Sequence, residues 1–80
     1  MIDKQMVEFA IKGVNAKIAE LEKTVKQGKQ FIAEYENGQQ PKTPKTAYEL
    51  KTIVQEKNAE IEKLVKLKHD YEWLLVENEQ

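Results

Sequence analysis

His69 is the one imidazole of this 80-residue chain, and it stands beside Asp70 and Glu72, so it is the natural place to look for metal or proton chemistry. A carboxylate-bridged metal pair in a helical bundle needs Glu-x-x-His, and the residue three before His69 is Lys66. General-base work needs a nucleophile or a substrate pocket within reach, and the neighbouring residues suggest neither. His69 therefore reads as a surface residue.

The remaining chemical vocabulary is sparse. Cysteine, arginine and serine are all absent, which removes thiolate nucleophiles, thiolate metal sites, the bidentate phosphate fork and the serine nucleophile. The carboxylates at Glu20/Glu22, Glu34/Glu36 and Glu60/Glu62 stand two apart and so point to different sides of a helix. Their helix-stabilising relations are Glu22 to Lys26 and Glu62 to Lys66. Gly13, Gly28 and Gly38 are isolated, so there is no phosphate-binding loop. These absences predict a protein that is not an enzyme and carries no metal or cofactor.

Binding is what remains. Lys45, Tyr48 and Lys51, with Phe31 and Tyr35 within reach, could set ammonium groups and an aromatic plate around a small anion such as a nucleotide, between subunits. Lys42, Lys57, Lys63 and Lys66 would extend that set toward RNA or DNA. A sequence pI of 5.9 and the lack of arginine argue against a nucleic-acid module, because the phosphate backbone selects for basic surfaces.

The elements that must carry these residues are clearer. Val7, Ile11, Val14, Ile18, Leu21, Val25, Gly28, Ile32 and Tyr35 alternate steps of four and three, the spacing of one seam along a helix. Asp3 supplies an N-cap, with Ile2 placed to staple against Val7, and Asn37-Gly38 supplies the stop. Leu50, Val54, Lys57, Ile61, Leu64, Lys68, Tyr71 and Leu75 repeat the pattern, widened by Ile53, Val65, Leu67 and Leu74, after Thr46-Ala47-Tyr48-Glu49, which fits a capping box, while Pro44 stiffens the approach. The spacing predicts an all-α, antiparallel two-helix hairpin, about 3–37 and 46–78, joined by a loop over 38–45 and forming a single domain over 1–80. Matching the two stripes pairs Ile32 with the region of Leu50, Val25 with Lys57, Ile18 with Val65, Ile11 with Tyr71 and Val7 with Leu75.

A hairpin with 34% charged residues and a mean hydropathy of -0.73 can bury only a thin apolar layer. Apolar residues also lie beside the seam: Met6, Phe9, Ala10, Gly13 and Phe31 on the first helix, Leu67 and Leu74 on the second. A wide stripe suits a helix with two neighbours, so the hairpin is expected to dimerise into a four-helix bundle. Trp73 falls away from the seam and is a candidate partner anchor. Gly13 and Gly28 each cost a helix about 1 kcal/mol relative to alanine, and Gly28 in the seam implies close helix approach or a slot for a bulky residue from a facing helix.

The expected oligomer or partner surface is thus Met6, Phe9, Gly13, Gly28, Phe31, Leu67, Trp73 and Leu74. Lys42–Lys68 carries an excess of lysine, while the stretch from His69 onward holds Asp70, Glu72, Glu77 and Glu79 with no lysine, so the loop end is the more basic and the open end acidic. The apolar runs are far too short for a bilayer and no basic-then-apolar leader opens the chain, which predicts a cytoplasmic protein with no membrane partner. The composition is of the kind common in small bacterial and phage proteins. The function read from all this is protein–protein interaction as an adaptor, inhibitor or structural element.

Overall fold

The computed structural model describes residues 3–78. It contains two helices, α1 (Lys4–Glu36) and α2 (Ala47–Asn78), of 33 and 32 residues, lying antiparallel in a rod with extents of 57 × 16 × 15 Å.

Local chemistry sets both starts. Asp3 has extended backbone angles, and its Oδ1 accepts hydrogen bonds from the N–H groups of Gln5 at 3.0 Å and Met6 at 3.4 Å, satisfying donors that the first turn leaves open. The staple expected from Ile2 lies outside the described residues. At α2, Thr46 Oγ1 accepts from the Glu49 N–H at 3.2 Å while Glu49 Oε1 accepts from the Thr46 N–H at 3.3 Å. That reciprocal pair is a complete capping box, as the sequence predicts.

The α1 terminus is a Schellman closure. Gln39 donates its N–H to the Glu34 carbonyl at 2.9 Å and Gly38 donates to the Tyr35 carbonyl at 3.0 Å. Only Gly38 takes the left-handed conformation, with φ 76°; Asn37 stays at φ -88° and never needs it. In the loop it is Pro41 that is buried, whereas Pro44, expected to stiffen the approach, is exposed. The Tyr35 hydroxyl donates to the Lys45 carbonyl at 2.7 Å and ties the end of the loop to the end of α1.

Every residue of the predicted seam on both helices is buried or half-buried. A Cβ built on Gly28 would come within 2.9 Å of Val54 Cγ2. Gly28 thus faces Val54 of the same chain, which sets the register expected from matching the stripes. It also answers the question of its use, because the missing side chain lets the two backbones approach here. The core is confined to this neighbourhood: Ile18, Leu21, Val25, Leu50 and Val54 are the buried hydrophobic residues among those described. Lys57 and Lys68 lie half-buried in the stripe, and Lys57 Nζ reaches out to Glu60 at 3.7 Å. Lys17 and Glu20 pair likewise at 3.8 Å, whereas the expected pairs of Glu22 with Lys26 and Glu62 with Lys66 do not close.

Candidate protein-interaction surface

Two columns of residues border the seam on one side. On α1 they are Ala10, Lys17, Thr24 and Phe31, each a heptad from the next, and on α2 Ile53, Glu60, Leu67 and Leu74. Their adjacency is direct at the loop end, where Thr24, Phe31 and Ile53 line one hollow of about 200 Å³ together with Gln27, Gly28, Thr43, Lys45 and Leu50. Ala10, Phe31, Ile53, Glu60 and Leu74 are half-buried. Leu67, further from the loop, remains 39% exposed.

The opposite flank is of another character. Its columns are Glu8, Asn15, Glu22, Lys29 and Glu36 on α1 and Lys51, Asn58, Val65 and Glu72 on α2, and every one is exposed. One flank therefore holds Ala10, Phe31, Ile53, Leu67 and Leu74 with Lys17, Thr24 and Glu60 between them, while the other is mostly charged or polar apart from Val65 and is exposed throughout. A lone pair of helices has no use for such a difference, since both flanks of an isolated pair meet only water.

The expected interface residues divide into three groups. Phe31, Leu67 and Leu74 lie on the apolar flank, and Gly28 sits beside Phe31 in the seam, against Val54 of α2, where it permits the close helix approach. Met6 and Gly13 run beside that flank; Met6 is 70% exposed, and a Cβ on Gly13 would meet nothing within 4 Å. Phe9 and Trp73 point away from the seam, at 78% and 62% exposure. Asp3, Gln5, Met6 and Phe9 line a second, larger hollow at the start of α1. Ile53, which the sequence marks only as widening the seam, is central to the loop-end hollow, because the register sets it across from Phe31.

The residues proposed to hold an anion do not converge. Lys45 borders the loop-end hollow beside Phe31, but Lys51 is exposed on the charged flank and Tyr48 is 80% exposed, with neither lining that hollow. Glu34 Oε2 is enclosed without a hydrogen-bond partner. Among the described residues there is no group of three or more histidine or carboxylate side chains placed to hold a metal, and no helix is long and apolar enough to cross a membrane.

Comparison with protein-family models, with characterised proteins and with solved structures finds no match to this chain.

Proposed function

We propose that this protein acts without catalysis, as a homo-oligomeric helical hairpin whose work is protein–protein interaction. The observation that carries this reading is the contrast between its flanks: Phe31, Ile53, Leu67 and Leu74 on one side, mostly charged and exposed residues on the other, around a core of five buried hydrophobic side chains among the described residues. Covering the apolar flank with a second hairpin removes Phe31, Ile53, Leu67 and Leu74 from water, at about 25 cal/mol for each Å² so buried. Phe9 and Trp73 then remain on the outside as aromatic anchors for a heterologous protein, the residue type that dominates binding energy at such contacts.

Sedimentation equilibrium over a hundredfold range of concentration tests the oligomer. The expected result is a mass of twice the 9.3 kDa chain. A monomer persisting to hundreds of micromolar would refute it. A second reading, capture of a small anion such as a nucleotide, draws on Lys45 and Phe31 sharing the loop-end hollow. A nucleotide at a hundred times its dissociation constant would stabilise the fold by about 2.7 kcal/mol, so a thermal-shift panel with no response removes that reading.

A further inference from the structure

We infer that the occupant of the apolar flank is a second copy of this chain lying antiparallel to the first, with the loop of each hairpin over the open end of the other. The inference rests on the homo-oligomeric reading and adds to it a face and a direction.

Shape is the first argument. The flank is uneven along its length. Toward the loop it is hollow, bounded by Phe31 and Ile53 around about 200 Å³ of open space. Toward the open end α2 presents Leu67 and Leu74, while α1 presents Ala10 with Met6 and Gly13 beside it, and nothing beyond the helix's own backbone lies within 4 Å of where a Gly13 Cβ would stand. Stacked in parallel, two copies would set hollow against hollow and leave an enlarged void lined by apolar groups, an arrangement that close-packed interiors avoid.

Reversal resolves the mismatch. Because Gly28 and Val54 stand level, the middle of the rod lies near Glu20 on α1 and Glu62 on α2. A two-fold axis crossing the flank at that level lays α1 on α1 and α2 on α2, each antiparallel. Phe31 lies about three helical turns to one side of the axis and Ala10 about three turns to the other, so the largest residue of the α1 column meets the smallest. On α2 the same rotation brings Ile53 between Leu67 and Leu74 of the second copy, the interdigitation that helix packing favours.

Charge is the second argument. The open end, residues 3–12 and 70–77, carries Asp3, Glu8, Asp70, Glu72 and Glu77 against Lys4 and Lys12. The loop end, residues 29–52, carries Lys29, Lys42, Lys45 and Lys51 against Glu34, Glu36 and Glu49. Parallel stacking superposes the two acidic ends; the antiparallel dimer sets each against the more basic end. Near the axis, the Lys17–Glu20 pair at 3.8 Å is placed to exchange partners between copies.

The absence of native cysteine makes the test direct. A nitroxide attached to Q40C, in the exposed loop, reports the loop-to-loop distance in the full-length dimer by pulsed dipolar spectroscopy. The antiparallel dimer predicts a separation close to the 57 Å length of the rod. A parallel one predicts about 20–25 Å, a few interhelical spacings of 8–10 Å. A short distance in a confirmed dimer overturns the direction and leaves the homo-oligomer standing, whereas a monomeric mass overturns the homo-oligomer itself. For the face, Leu67→Glu should raise the dimer dissociation constant at least tenfold, while Val65→Glu on the charged flank leaves it within about twofold. Circular dichroism on both variants confirms that the hairpin persists. Equal loss from the two substitutions, or loss from Val65→Glu alone, overturns the assignment of the flank.

Discussion

The loop half and the open half of the hairpin share one seam but close to different depths. On the loop side of the middle, Leu21, Val25, Leu50 and Val54 retain 4–8% of their surface, with Ile32 and Tyr35 beyond them half-buried. Toward the open end, Val7, Ile11, Val14, Leu64, Tyr71 and Leu75 occupy equivalent positions and are only half-buried, and Met6, Phe9, Trp73 and Val76 nearby are exposed. The sequence pattern is equally regular in both halves, so periodicity does not account for the difference. Gly28 does, by letting Val54 approach within what would be steric conflict for any other residue. The loop adds to it: Pro41 is buried there, the Schellman closure and the capping box end the helices cleanly, and the Tyr35–Lys45 hydrogen bond holds the strands of the connection together. Among the described residues the open half has no equivalent cover. A seam marks where two helices meet, but how dry it becomes depends on how closely their backbones come together and on what seals the ends.

That comparison breaks most readily at the core. Leu21→Ala should cost about 2–5 kcal/mol of unfolding free energy, the range for deleting a large buried aliphatic group. Ile11→Ala should cost roughly half as much, because part of its surface is already in water. Urea titration of both decides it, and an equal or inverted cost would mean that the halves are alike. Gly28→Leu comes next, at about 1–3 kcal/mol of destabilisation, since the added atoms have nowhere to go but into Val54.

Smaller effects sharpen the picture. Thr46→Ala removes one side of the capping box and should cost about 1 kcal/mol, read in the same titrations. Gly13→Ala should stabilise the hairpin by up to about 1 kcal/mol, the ordinary helix preference for alanine, because nothing stands in the way of the methyl group. The two glycines are then distinguished by sign, with only Gly28 required. The smallest change is expected for Phe9→Ala and Trp73→Ala. Each should lie within about 0.5 kcal/mol of the parent in stability, and a partner captured by the parent protein should be lost from the pair. A large stability loss instead would show that these aromatics pack within the oligomer.

Much of the fold is legible in the sequence because helix chemistry is local. The Asp3 cap, the Thr46–Glu49 capping box and the stop at Asn37-Gly38 each follow from residues within five positions of one another, and the helix bounds follow from them. The register is legible for a different reason: a connection this short leaves little freedom to slide, so the two stripes match end to end. The candidate surface is legible only in part. Spacing puts Phe31, Leu67 and Leu74 beside the seam, but it does not reveal that Ile53 shares a hollow with Phe31 and Gly28, or that Lys51 stands on the opposite flank from that hollow. Those relations depend on which sides of two helices adjoin across sixteen or more intervening residues, and no local preference encodes that. The i,i+4 ion pairs also fail to close, because exposed charges in water gain too little from contact to fix long side chains in place.

The sequence by itself thus determines two capped helices, a seam with a defined register, and a set of side chains poor in chemistry. Tertiary structure decides how that seam is used. By bringing α1 and α2 together closely at Gly28, it dries one stretch of a uniform heptad pattern, Ile18 to Val25 against Leu50 and Val54, and leaves the rest of the seam half-buried. By placing the bordering columns side by side, it brings Phe31 and Ile53 to one hollow and leaves Leu67 and Leu74 on the same flank. The physical reason is that periodicity specifies direction around a helix axis, while burial depends on distance between axes, and that distance is set only when the two helices meet.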